Sequence, residues 1–114
     1  LPSKNGKVIH AGPVPAPVSV EQATAEARLE VLNAVAVLSD ACAGDLDRVA
    51  RIVRIGVFVQ CAPGFTQQSQ VANGASDLLA EIFGEVGRHA RAAVGVIALP
   101  LNAAVEVELM AEVR

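Results

Sequence analysis

From Val105 to Val113 the chain alternates without a break. Val105, Val107, Leu109, Ala111 and Val113 fall on one side, and Glu106, Glu108, Met110 and Glu112 on the other. A period of two marks a strand with one face in a core and one outside it. The chain must therefore build a sheet, and other elements must cover its apolar face. Just upstream, Arg88, His89 and Arg91 lead into an apolar run from Ala92 to Leu99. Pro100-Leu101-Asn102 then interrupts the run with residues suited to a turn. Two neighbouring strands thus bring an arginine and a set of carboxylates into one region.

A chain of 114 residues makes one domain. Three phenylalanines are its only aromatic residues, so Val, Ala, Leu and Ile must build the core. The formal net charge of −3 gives no basic footprint, and few rings are available to stack on bases, which argues against a nucleic-acid partner. Cys42 and Cys61 are too few and too widely spaced for a metal or disulfide framework, and both read as reduced, small apolar residues. That usage and the lack of a signal peptide suggest a cytoplasmic protein. No stretch reads as a bilayer helix; the uncharged segment 55–76 is interrupted by glutamines, a proline and glycines.

The first eighteen residues are rich in Pro and Gly. Asn5-Gly6 predicts a turn before a short strand at Lys7–His10. Pro13, Pro15 and Pro17 exclude a helix and suggest an extended connector held by packing. Ser19 with Gln22 has capping-box spacing, and Glu21 suits the positive end of a helix dipole. The helix should run to about Ala43, with Gly44 as its left-handed terminator. It carries two apolar stripes, one of Ala25, Leu29, Leu32 and Ala36, the other of Val31, Val35, Leu38 and Cys42. A single stripe suffices to cover one sheet face, so the second favours a subunit contact.

Arg48–Gln60 has the β-branched richness of a buried strand. Arg51 and Arg54, three positions apart, would point to opposite faces of a regular strand, each able to meet a carboxylate of the C-terminal strand. After a loop with Pro63-Gly64 as its turn, Val71, Ala75, Leu78, Leu79, Ile82 and Phe83 keep helical spacing over Ser69–Phe83. Gly74 lies inside that helix, where it costs about 1 kcal/mol against Ala, and close packing is the favoured reason. Gly84 and Gly87 end the helix. The order strand, helix, strand, helix, strand, strand predicts an α+β fold with a mixed sheet and both helices on one face.

Chemistry is narrowed by elimination. Neither His10 nor His89 lies in a nucleophile-elbow or thiol-protease context. There is no phosphate-cradling glycine loop, so no cofactor is called for. Glu106 and Glu108 could hold a cation, but an arginine-paired ladder is the favoured reading, and no metal site is assigned. What survives is an arginine at an apolar strand, able to grip a small organic acid with its planar fork, and a carboxylate able to orient water. Glu106 is one such carboxylate.

The segments Ala90-Arg91-Ala92-Ala93-Val94, Leu99-Pro100 and Val105-Glu106-Val107-Glu108 follow one another in an order that resembles the RidA/YjgF family, also labelled endoribonuclease L-PSP. Asp45-Leu46-Asp47-Arg48-Val49 resembles its strand opening, and the run from Val71 to Leu79 resembles a subgroup with NGASDLL in the second helix. The resemblance spans residues 3–113. It implies a chorismate-mutase-like fold and a homotrimer with clefts between subunits. In the best-understood subgroup it further implies hydrolysis of reactive 2-imino and enamine acids to 2-keto acids and ammonia. There Arg91 would bind the substrate carboxylate and Glu106 would position water, which leaves Arg88 and His89 as surface residues. Ala93 stands in the cleft segment, where the subgroup's Ser-Cys is replaced by Ala92-Ala93. The cleft asparagine maps near Ser76, or onto Asn73 with a shifted register. The family's N-terminal β-hairpin would precede Leu1, so a longer natural protein is expected. A non-catalytic small-carboxylate-binding module is the alternative; ribonuclease activity rests on the family label alone.

Overall fold

The structure is a computed structural model that describes residues 10–114 together with the backbone of Ser3–Lys4 and Lys7–Val8. Those two short strands, β1 (Ser3–Lys4) and β2 (Lys7–Val8), pair antiparallel. The expected Asn5-Gly6 turn lies outside the described residues, and the strand expected to reach His10 is described only over Lys7–Val8. The proline segment is a turn rather than an extended connector. It is tied down as expected: Val14 and Val18 are buried, Val14 N donates to Gln60 O and Ala62 N to Val14 O.

Helix α1 (Val20–Ala41) begins at the predicted capping box, with the Ser19 side chain accepting from Gln22 N and the Gln22 side chain accepting from Ser19 N. At its other end Ala43 (φ 55°) and the predicted Gly44 (φ 85°) are both left-handed, so the chain turns out of the helix one position earlier than expected. Gly44 N donates to Ser39 O at 2.8 Å and Ala43 N to Asp40 O at 3.1 Å, which closes a Schellman motif. A short 3₁₀ turn (Leu46–Arg48) leads to β3 (Val49–Gln60). Helix α2 (Gln68–Phe83) ends at Gly84, a 3₁₀ turn spans Gly84–Gly87, and β4 (Ala90–Val96) and β5 (Val105–Val113) complete the chain.

The larger sheet has the order β4-β3-β5, with β4 parallel and β5 antiparallel to the central β3. The parallel pair needs a crossover, which α2 supplies. Both helices cover one face. Ile55, Val57 and Val59 of β3, Val105 of β5, Val31 of α1 and Val71 and Leu79 of α2 form the centre of the core, each fully buried. The prediction of two helices on one face of a mixed sheet therefore holds.

Gly74 is where the two helices touch. A Cβ added there would lie 2.2 Å from the carbonyl oxygen of Thr24, so only glycine admits this approach. Of the two stripes on α1, the Val31, Val35 and Cys42 stripe enters the core, whereas Ala25, Leu32 and Ala36 are exposed. The rest of the buried surface of α1 includes Glu26 and Glu30, which apolar patterning alone does not reveal.

Irregularities in the β3–β5 register fall between Val49 and Arg51 and between Ile52 and Arg54. They correct the expectation for the two arginines. Because each bulge adds a residue, Ile52 and Ile55 both reach the core, and Arg51 and Arg54 both emerge on the uncovered face. There Arg51 meets Glu112 at 3.4 Å and Arg54 meets Glu108 at 3.1 Å. The arginine-paired ladder is thus present, and Glu108 belongs to it.

Candidate functional site

Helix α2 and strand β4 build the candidate site where they lie side by side. Arg91 pairs across the sheet with Ile55, so its side chain leaves β4 on the helix-covered face. It runs along α2 and is held at several points. Arg91 Nη1 donates to Asn73 Oδ1 at 2.9 Å and to Ser76 Oγ at 3.1 Å, and Nη2 donates to the Ser69 carbonyl at 3.5 Å. Positions 69, 73 and 76 are spaced by four and three residues, so they form one stripe of α2. The guanidinium is exposed and oriented at the same time.

Ser76 does more than hold the arginine. Its Oγ lies 2.9 Å from His89 Nε2, and His89 Nδ1 lies 2.7 Å from the Gly87 carbonyl oxygen. A carbonyl can only accept, so Nδ1 carries a proton. In the neutral ring Nε2 is then the acceptor, and Ser76 donates to it. Ser76 Oγ thus donates to a histidine while accepting from an arginine. This corrects the reading of His89 as surface: the ring is half-buried and doubly bonded, whereas Arg88 is exposed and paired with Glu85. No sequence motif joins Ser76 to His89. The available signal is weaker: a polar position on the stripe of α2 that must face β4, and a histidine two residues before the strand's arginine.

Ser76, Ala80, Gly87, Arg88, His89 and Arg91 line an open depression of about 420 Å³. Gly87 is needed at its floor, because a Cβ there would sit 2.3 Å from the Leu79 carbonyl oxygen. A larger groove of about 750 Å³ lies at the other end of the sheet, around Cys61, Phe65, Gln68, Gly95 and Ile97. Among the described residues no charged side chain lines it.

Glu106 stands elsewhere. It pairs with Phe58, between Val105 and Val107, whose side chains face the helices. Its side chain therefore leaves β5 on the uncovered face, with β3 between it and β4. Within one chain, Arg91 and Ser76 are together, Ala93 lies two residues along β4 on the same face as Arg91, and Glu106 is on the opposite face.

Two further carboxylates are buried one helical turn apart on α1. Glu26 binds His10 Nδ1 through Oε1, and its Oε2 is buried without a partner among the described residues. Burial raises its pKa, against the opposing pull of His10. Burial pushes Glu30 up to about 7, against a hydrogen bond from the Val107 backbone, and the nearby charge of Glu106 adds to the rise.

The sequence profile of a family described as "YjgF/chorismate mutase-like, putative endoribonuclease" matches residues 1–113. The chain belongs to this family. Solved structures share its fold. Protein Atu1372 of Agrobacterium tumefaciens, described as of unknown function, superposes with a TM-score of 0.96 at 42% identity over 99% of this chain and 72% of that one. A "putative endoribonuclease" of Shewanella oneidensis superposes with a TM-score of 0.92 at 38% identity over 98% and 74%. Protein TCP17 of Trypanosoma cruzi is 52% identical over 104 residues, 90% of this chain. The chain spans 64% of the length of that curated relative. No helix among the described residues is long and apolar enough to cross a membrane.

Proposed function

We infer that this family member hydrolyses reactive 2-imino and enamine acids to 2-keto acids and ammonia, in the cytoplasm, at a cleft between subunits of a homotrimer. The observation that carries the reading is the clamped guanidinium of Arg91, oriented by Asn73 and Ser76 yet open to solvent. Such a fork binds a substrate carboxylate bidentately without first losing its own side-chain freedom. Ser76 and Ala93 line the approach, and Glu106 orients the attacking water. An imine is already electrophilic, so positioning a water against it needs no cofactor.

Because Glu106 and Arg91 leave opposite faces of one sheet, the reading assigns them to a shared cleft only when one subunit supplies Arg91 and its neighbour Glu106. The exposed Leu32, Val94 and Met110 support association, since apolar side chains of this size are otherwise left in water. The test is keto-acid release from an imine generated in situ. Arg91→Ala and Glu106→Gln should each be inactive, and co-refolded mixtures of the two should regain activity through hybrid clefts. Inactive mixtures would reject the shared cleft, and a fully active Arg91→Ala would reject the reaction. The alternative, a non-catalytic acid-binding module, predicts saturable 2-keto-acid binding that Arg91→Ala removes, with no turnover by the unaltered protein.

A further inference from the structure

We propose that Ser76 and His89 form a nucleophile–base pair that accepts an acyl group from small acyl donors with an anionic leaving group. This is an activity separate from imine hydrolysis. The Oγ to Nε2 separation of 2.9 Å is within the range for proton transfer from a nucleophile to its base. The Gly87 carbonyl, 2.7 Å from Nδ1, fixes the tautomer that leaves Nε2 free to take that proton. A carbonyl thus fills the orienting place that a carboxylate takes in serine hydrolases. Arg91 Nη1, 3.1 Å from Oγ, favours the developing alkoxide. The depression over these atoms is open, of a size for a small ligand, and walled by Arg88 and Arg91. A leaving group that departs as an anion suits those walls and needs no proton.

The step balances within the chain's own groups. Ser76 Oγ bonds to the acyl carbon, its proton passes to His89 Nε2, and the bond from acyl carbon to leaving group breaks with the electron pair departing on the anion. Water then attacks the ester formed on Ser76. His89, having released its first proton to solvent, takes one from that water and returns it to Oγ, and a carboxylic acid leaves.

The probe is p-nitrophenyl acetate, with nitrophenolate release followed on the whole protein and the acetylated residue located by mass spectrometry. Release above background and an acetyl group on Ser76 are expected. Ser76→Ala should release nitrophenolate at the background rate. His89→Gln, which keeps a side chain able to hydrogen-bond Ser76, should slow release by roughly a hundredfold, the usual loss of a general base. Ser76→Cys should restore acetylation at position 76 and guards against a folding defect in the alanine variant. Equal release by the wild type and Ser76→Ala, acetyl groups found only on lysines or the amino terminus, or an unchanged rate in His89→Gln would each overturn the proposal.

Discussion

Gly74 of α2 lies against the backbone of Thr24 in α1, so closely that a Cβ would come within 2.2 Å of the Thr24 carbonyl oxygen. The contact sets the spacing of the two helices, and Asn73 and Ser76, which hold Arg91, stand on either side of it. Gly74→Ala should gain about 1 kcal/mol of helix propensity and lose more than that to the clash. The expected balance is destabilisation of about 2–3 kcal/mol, read from urea unfolding. Because α2 must shift, the affinity of Arg91 for a carboxylate should fall as well. A variant as stable as the wild type would show that the helices part without cost.

Glu30 makes stability depend on pH. Its folded pKa of about 7 lies above the ordinary 4.5, so the folded state holds a proton that the unfolded state releases. Its contribution to stability is then fully present below pH 4.5 and is lost as the pH rises through about 7. Glu26 acts in the same direction. Glu30→Gln should be more stable than the wild type by roughly 1–3 kcal/mol at alkaline pH, and the gap should close toward acid pH. Urea titrations at both ends of the range test this; a gap independent of pH would reject it.

Gln60 ties the end of β3 to the turn before β5. Its Nε2 donates to Ala103 O at 2.9 Å and to Asn102 Oδ1 at 3.1 Å, and the residue is buried. Gln60→Met keeps the shape but leaves the Ala103 carbonyl without this donor. A loss of about 1–3 kcal/mol is expected in thermal or urea unfolding. Asn102→Gly should cost less, because residue 102 sits at φ 58°, which glycine accepts.

What the sequence determined by itself was local. The capping box at Ser19 and Gln22 and the alternation from Val105 to Val113 follow from neighbours along the chain or from the period of one element. Those periods were enough to predict the fold class, and the motif order was enough to indicate the family. The tertiary structure decided what depends on how elements meet. Two bulges placed Arg51 and Arg54 on one face, because Ile52 and Ile55 had to share a core that strict alternation would have denied one of them. Packing α1 against the sheet buried Glu26 and Glu30, which helical spacing alone cannot distinguish from solvated charges. The seating of α2 beside β4 joined Ser76 to both His89 and Arg91, a convergence set by the register of β4 and by the Gly74 contact. The same sheet separated Arg91 from Glu106, because side chains of opposite parity in paired strands leave on opposite faces.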